Sequence, residues 1–187
     1  MSVERNQVLK DITQTTTFRM IDGVSIRFVE SEPANTDALL LSPWPESVMA
    51  YEPTWSRLAE TTHLVAIDLP GFGRSERKDA LMSPRAMGEF IVRAADAFGL
   101  DNPHIVGPDI GTSAVLFAAA AEHSRSLTCS PTRRSLQHSE TSCRNYRRRA
   151  DHCRPPRHDA GHFTWEDAAD EYAALVNAWW AGRYKHS

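Results

Sequence analysis

The chain has 187 residues, 41% of them hydrophobic, and a net charge of −3, values that suit one compact domain with a single good core. No window reaches the apolar length of a membrane span, and Met1 to Gln7 lacks the apolar centre of a signal peptide, so a cytoplasmic protein is expected. The charge is unevenly placed: residues 124–158 hold nine arginines, no lysine, only Glu140 and Asp151 as acids, and all three cysteines (Cys129, Cys143 and Cys153), whereas the rest of the chain is acidic.

In chain order, Thr15 to Met20 and Val24 to Glu30 are predicted strands joined at Asp22-Gly23, a dipeptide suited to a tight hairpin. Ala38 to Leu41 is a continuous apolar run of the kind found in internal parallel strands. It ends in Ser42-Pro43-Trp44-Pro45-Glu46-Ser47, whose prolines fix a loop. A short helix follows over Pro53 to Thr61, with Trp55 and Leu58 at helical spacing, and then a buried strand, His63 to Ile67. The next loop, Asp68 to Ser75, has two glycines, but the third glycine of a dinucleotide pattern falls at Glu76, which disfavours a nucleotide loop. Ser83-Pro84 starts a helix whose apolar stripe is Met87, Phe90, Ile91, Ala94, Ala95 and Phe98, and Gly99 stops it.

The most informative stretch is His104 to Ala114. Its apolar start reads as a buried strand, the Ala-rich run Ala114 to Ala121 as a helix, and Asp109 stands at the turn between them, flanked by Gly107 and Gly111. Two readings compete for Asp109. It is a helix N-cap, or it is a reactive carboxylate on a sharp strand-to-helix turn at the carboxyl end of a central parallel strand. The alternation of strands and helices up to about residue 123 argues for a parallel sheet covered on both faces.

Four segments occur in an order that resembles the α/β-hydrolase family: Ser42-Pro-Trp-Pro, Asp68-Leu-Pro-Gly-Phe-Gly-Arg-Ser, Val106-Gly-Pro-Asp-Ile-Gly and Asp159-Ala-Gly-His-Phe-Thr-Trp-Glu. An aspartate at the turn is similar to the haloalkane dehalogenase and epoxide hydrolase branch. The resemblance covers about residues 14–125 and 159–184. It implies a partial α/β-hydrolase fold, a mostly parallel sheet with helices on both faces, lacking the cap domain and the later strands. It further implies that Asp109 is the nucleophile, that His162 is the base, and that the backbone amides of Trp44 and Ile110 form the oxyanion hole. The implied substrate is a small molecule of the halide, epoxide or ester type, and no cofactor or metal is implied. The branch has Trp directly after its nucleophile where this chain has Ile110, and its ring-polarising tyrosines belong to the cap, so neither Tyr51 nor Tyr146 takes that role. Against the base role of His162 stands a surface histidine near a helix start, with Thr164 and Asp167 as a capping signal for Ala168 to Trp180.

Residues 1–123 thus read as the amino-terminal part of a hydrolase core, 124–158 as a basic Arg/Cys-rich segment without regular structure, and 159–187 as the His loop and last helix. The middle segment has too few aliphatic residues for two buried parallel strands. It leaves the triad acid unassigned: Asp151 has no strand before it and Asp159 lies too close to His162. Neither nucleic acid nor zinc is its expected partner, because it has one aromatic residue, Tyr146, and no paired CxxC spacing. The return of family-like sequence at Asp159 points to an internal deletion or a shifted reading frame. The competing functional reading is a catalytically inactive remnant or interaction protein whose basic segment binds acidic partners. The last helix, with Tyr172, Leu175, Val176 and Trp179 on one face, adds possible self-association through an under-covered apolar surface.

Overall fold

The computed structural model describes residues 16–121, 128–129 and 163–181. Strands β1 (Thr17–Ile21) and β2 (Val24–Glu30) form an antiparallel hairpin closed by the pair Ile21 and Val24. Asp22 and Gly23 both have positive φ, 51° and 73°, the backbone that lets a two-residue turn follow the strand twist. Strand β3 (Asp37–Leu41) leads through a single 3-10 turn, Val48–Tyr51, into helix α1 (Glu52–Ala59), and β4 (His63–Ile67) follows. Helix α2 (Pro84–Ala97) starts where expected. Ser83 Oγ accepts the Ala86 N–H at 3.2 Å, and the helix ends at Gly99, φ 69°, with the Gly99 and Leu100 amides turned back onto the Asp96 and Ala95 carbonyls. Strand β5 (His104–Val106) and helix α3 (Ile110–Ala121) complete the alternating part.

The strands lie in the order β1-β2-β4-β3-β5-β6, where β6 is the two-residue strand Thr128–Cys129. β4, β3, β5 and β6 run parallel, and β2 joins β4 antiparallel. The expected mostly parallel sheet is therefore present. β6 places one short strand inside the basic segment, and the remainder of 124–158 lies outside the described residues.

Successive residues of β3 and β4 serve opposite cores because side chains alternate along a strand. Leu39, Leu41, Val65 and Ile67 pack with Phe90, Ile91, Val115 and Ala118 of α2 and α3. Ala38, Leu40, Leu64 and Ala66 pack on the other face with Leu58 of α1 and with Trp165, Tyr172 and Val176 of the carboxyl-terminal helices. Gly88 lets α2 and α3 touch, since a Cβ there would stand 2.7 Å from the Ala114 carbonyl oxygen.

The last helix departs from expectation. It is broken at Ala168 (φ −137°, ψ 52°) into the one-turn α4 (Thr164–Asp167) and α5 (Ala169–Trp180), and no side-chain cap precedes α5. Thr164 thus opens its own turn instead of capping a helix at 168. Tyr172 and Val176 are buried as expected, together with Ala173, whereas Leu175 is only half-buried and the half-buried Trp179 lies against the His104 ring.

Candidate active site

The connection from β3 leads to β4 on one side, and that from β5 leads to β6 on the other. Adjacent parallel strands whose connections part in this way leave a crevice at their carboxyl ends, where α/β sheets hold ligands. Trp44 follows β3 and Asp109 follows β5, so both come to this crevice. The Trp44 amide donates to Asp109 Oδ2 at 3.3 Å, across 65 residues of sequence. Asp109 is half-buried between two exposed apolar side chains, Trp44 at 59% and Ile110 at 44% exposure.

Asp109 has φ 50°, in the left-handed region. An N-cap residue has extended backbone, so this turn is not the ordinary capping conformation. Asp tolerates left-handed backbone better than most residues, yet the conformation costs about 1 kcal/mol or more. Gly107 makes the turn possible, because a Cβ there would fall 2.6 Å from Val115 Cγ2 and 2.9 Å from the Gly111 backbone. Gly111 is not under that constraint. A Cβ there meets only Leu41, at 3.5 Å, an ordinary contact. Ile110 is the first residue of α3, and the N–H at that helix position has no partner within the helix.

The loops around the crevice are held from below by Asp68, which is fully buried. Oδ1 accepts the Val48 N–H at 2.7 Å, and Oδ2 accepts the Arg74 N–H at 2.8 Å. Arg27 Nε lies 3.2 Å from Oδ2 as a charge contact without hydrogen-bond alignment, while Arg27 Nη2 donates to Ser47 Oγ at 3.3 Å. Burial pushes the Asp68 carboxyl above its usual value, against the pull of both amides and Arg27. Gly73, φ 51°, is required here, for any Cβ would stand 2.1 Å from Asp68 Oδ2. The second glycine after β4 therefore makes room for a carboxylate. Ser42 Oγ accepts the Leu69 N–H at 3.1 Å, and the Tyr51 hydroxyl donates to the Leu41 carbonyl at 2.7 Å, so Tyr51 is a buried strut. Its own burial raises the phenol well above its usual range.

One residue of the site was not singled out from the sequence. Glu46 Oε2 accepts the indole N–H of Trp165 at 3.3 Å. Burial, then Glu166, and more weakly Asp109, push Glu46 up to about 7. Its sequence signal is a carboxylate immediately after the Trp44–Pro45 peptide, which is cis.

No family model matches the chain. It is 27% identical over 94 residues, half of its own length, to the dihydrolipoyllysine-residue acetyltransferase component of the acetoin cleaving system of Cupriavidus necator, and spans a quarter of that protein. Among solved structures it is similar to the epoxide hydrolase CorEH, with 26% identity and a TM-score of 0.56, over 61% of this chain and 39% of CorEH. It also matches epoxide hydrolase VrEH1 of Vigna radiata, with 18% identity and a TM-score of 0.57, over 62% of this chain and 39% of that one. A Nostoc sp PCC 7120 protein designated an α/β hydrolase gives 22% identity and a TM-score of 0.57, over 75% of this chain and 52% of its own. The chain has a partial α/β-hydrolase fold. Its resemblance is to epoxide hydrolases within that fold family, and it spans about two fifths of the two named here.

Within this hydrolase fold, Asp109, Trp44 and Ile110 come together at the crevice. His162 lies outside the described residues, as do Asp151, Asp159 and Tyr146. The described chain resumes at Phe163, and Trp165 docks directly against Glu46 in the β3 loop. Among the described residues no helix is long and apolar enough to cross a membrane.

Proposed function

We propose that the chain carries the hydrolytic machinery of an Asp-nucleophile α/β hydrolase acting on a small electrophilic molecule. The observation that supports it most is the half-buried Asp109 carboxylate on left-handed backbone at the sheet's switch point, in contact with the Trp44 amide. In the first step a carboxylate oxygen attacks an electrophilic carbon. A covalent alkyl ester forms, and the carbon–halogen bond or epoxide C–O bond breaks, its electron pair leaving with the halide or remaining on the ring oxygen, which takes a proton from solvent. In the second, His162 takes a proton from water, and the resulting hydroxide adds to the ester carbonyl. The amides of Trp44 and Ile110 hold the oxyanion until the product alcohol leaves with the proton and Asp109 is freed. The exposed apolar side chains of Trp44 and Ile110 favour an apolar substrate.

The test is turnover of a panel of epoxides, haloalkanes and activated esters by the native chain, Asp109→Asn and His162→Ala. Asp109→Asn is expected to be inactive, while His162→Ala accumulates a covalent adduct on the Asp109 peptide, seen by mass spectrometry. Equal background rates in all three proteins, with no adduct, overturn the proposal and leave the inactive-remnant reading.

A further inference from the structure

Trp44 stands in an arch, Pro43 to Glu46, whose two ends hang from the start of the loop after β4. At one end the Ser42 N–H donates to the Ile67 carbonyl at 3.0 Å, and Ser42 Oγ accepts the Leu69 N–H at 3.1 Å. At the other the Val48 N–H donates to Asp68 Oδ1 at 2.7 Å. The arch has little backbone to hold its middle, because Pro43 and Pro45 carry no N–H and the Trp44 N–H is given to Asp109 Oδ2. At 3.3 Å that hydrogen bond is at the long end of the usual range, so a shift of about 0.5 Å is enough to end it.

Between the two ends, a contact arrives from the far end of the chain. The indole N–H of Trp165 in α4 donates to Glu46 Oε2 at 3.3 Å, across 119 residues of sequence. Trp165 is a firm support. It is fully buried in the core cluster that holds Leu40, Leu64 and Ala66, and it stands edge-on to the Phe163 ring, with centroids 5.7 Å apart at 81°. Glu46 is half-buried and only two residues beyond Trp44.

We infer that Trp165 is a positioning residue of the crevice, acting through Glu46 to keep the Trp44 amide aimed at Asp109. A buried indole has a single donor, and leaving it unmade is costly, so the arch is drawn to the position that keeps Glu46 within reach. The kinetic consequence rests on the hydrolytic reading, in which the Trp44 amide holds the oxyanion. Such a donor acts on the transition state more than on bound substrate, so displacing it lowers kcat and leaves KM nearly unchanged.

The test follows the chemical shift and exchange protection of the Trp44 amide by NMR in the native chain, Trp165→Phe, Glu46→Ala and Glu46→Gln. Trp165→Phe keeps an aromatic ring and removes the donor, Glu46→Ala removes the acceptor, and Glu46→Gln retains a side-chain oxygen that accepts the indole. The first two are expected to shift the Trp44 resonance and to lower its protection by about fivefold or more, with Leu39 to Leu41 unchanged. Glu46→Gln stays native-like. Should Trp165→Phe fold poorly, Glu46→Ala, at a half-buried position, carries the test. With a substrate that the native chain turns over, Trp165→Phe and Glu46→Ala lose about tenfold or more in kcat with KM within about twofold, and Glu46→Gln keeps the native kcat. A Trp44 amide left unmoved in the folded variants, or a Glu46→Gln chain as impaired as Glu46→Ala, overturns the inference. Absence of any turnover by the native chain sinks the hydrolytic reading instead, and the amide readout then decides the positioning role alone.

Discussion

The two faces of the sheet are closed in different ways. The α2/α3 face is built from an unbroken stretch of sequence, Ile21 to Ala118, with Phe90, Ile91 and Val115 fully buried against β3, β4 and β5. The opposite face depends on α1 and on helices that arrive from residue 164 onward. That second closure is less complete: Asn177 Oδ1 and Trp180 Nε1 are buried without a hydrogen-bond partner among the described residues. The difference teaches that one side of the sheet is closed by a single stretch of sequence and the other by helices borrowed from residue 164 onward.

Opposed large-to-small substitutions break that comparison most directly. Phe90→Ala and Trp165→Ala each remove a fully buried aromatic, at a cost of about 3–5 kcal/mol. Phe90→Ala is expected to lower the whole denaturation curve, whereas Trp165→Ala frees 163–181 and leaves β3, β4 and β5 protected in hydrogen exchange. Global loss of protection in both variants would mean that the faces are not separable.

Asp68→Asn strikes the sheet from the loop side. It preserves the shape but leaves the Arg27 charge buried and unpaired, and is expected to cost about 3 kcal/mol by urea denaturation. The smallest effect sharpens the picture at the turn itself. Gly107→Ala is expected to destabilise by about 1–3 kcal/mol through its clash with Val115, while Gly111→Ala is neutral or stabilises by up to about 1 kcal/mol through helix propensity. Thermal midpoints of the pair distinguish a turn constrained at one glycine from one constrained at both.

Much of the sheet was legible because its strands are short apolar runs bounded by turn residues. Asp22-Gly23, Ser83-Pro84 and Gly99 mark element ends where the structure has them. Asp109 was legible as a turn, and Trp44 came to the same site only through the resemblance of the four segments to the α/β-hydrolase family. What could not be read depends on contacts distant in sequence. The Gly73 requirement comes from the Asp68 carboxylate, the break at Ala168 accompanies the seating of Trp165, and Glu46 meets its partner Trp165 across 119 residues. Both glycines beside Asp109 looked alike in sequence, and the space around each tells them apart: Val115 crowds Gly107, whereas Gly111 meets only Leu41.

The left-handed backbone of Asp109 bears on the history of the chain as well as its chemistry. Glycine adopts φ 50° without strain, so at this one position most of the stability argument favours losing the carboxylate. A lineage released from any need for that side chain would drift toward Gly or Asn there. Among sister sequences, retention of aspartate at this position would record continued selection for the group itself, and its decay would date the moment selection ceased.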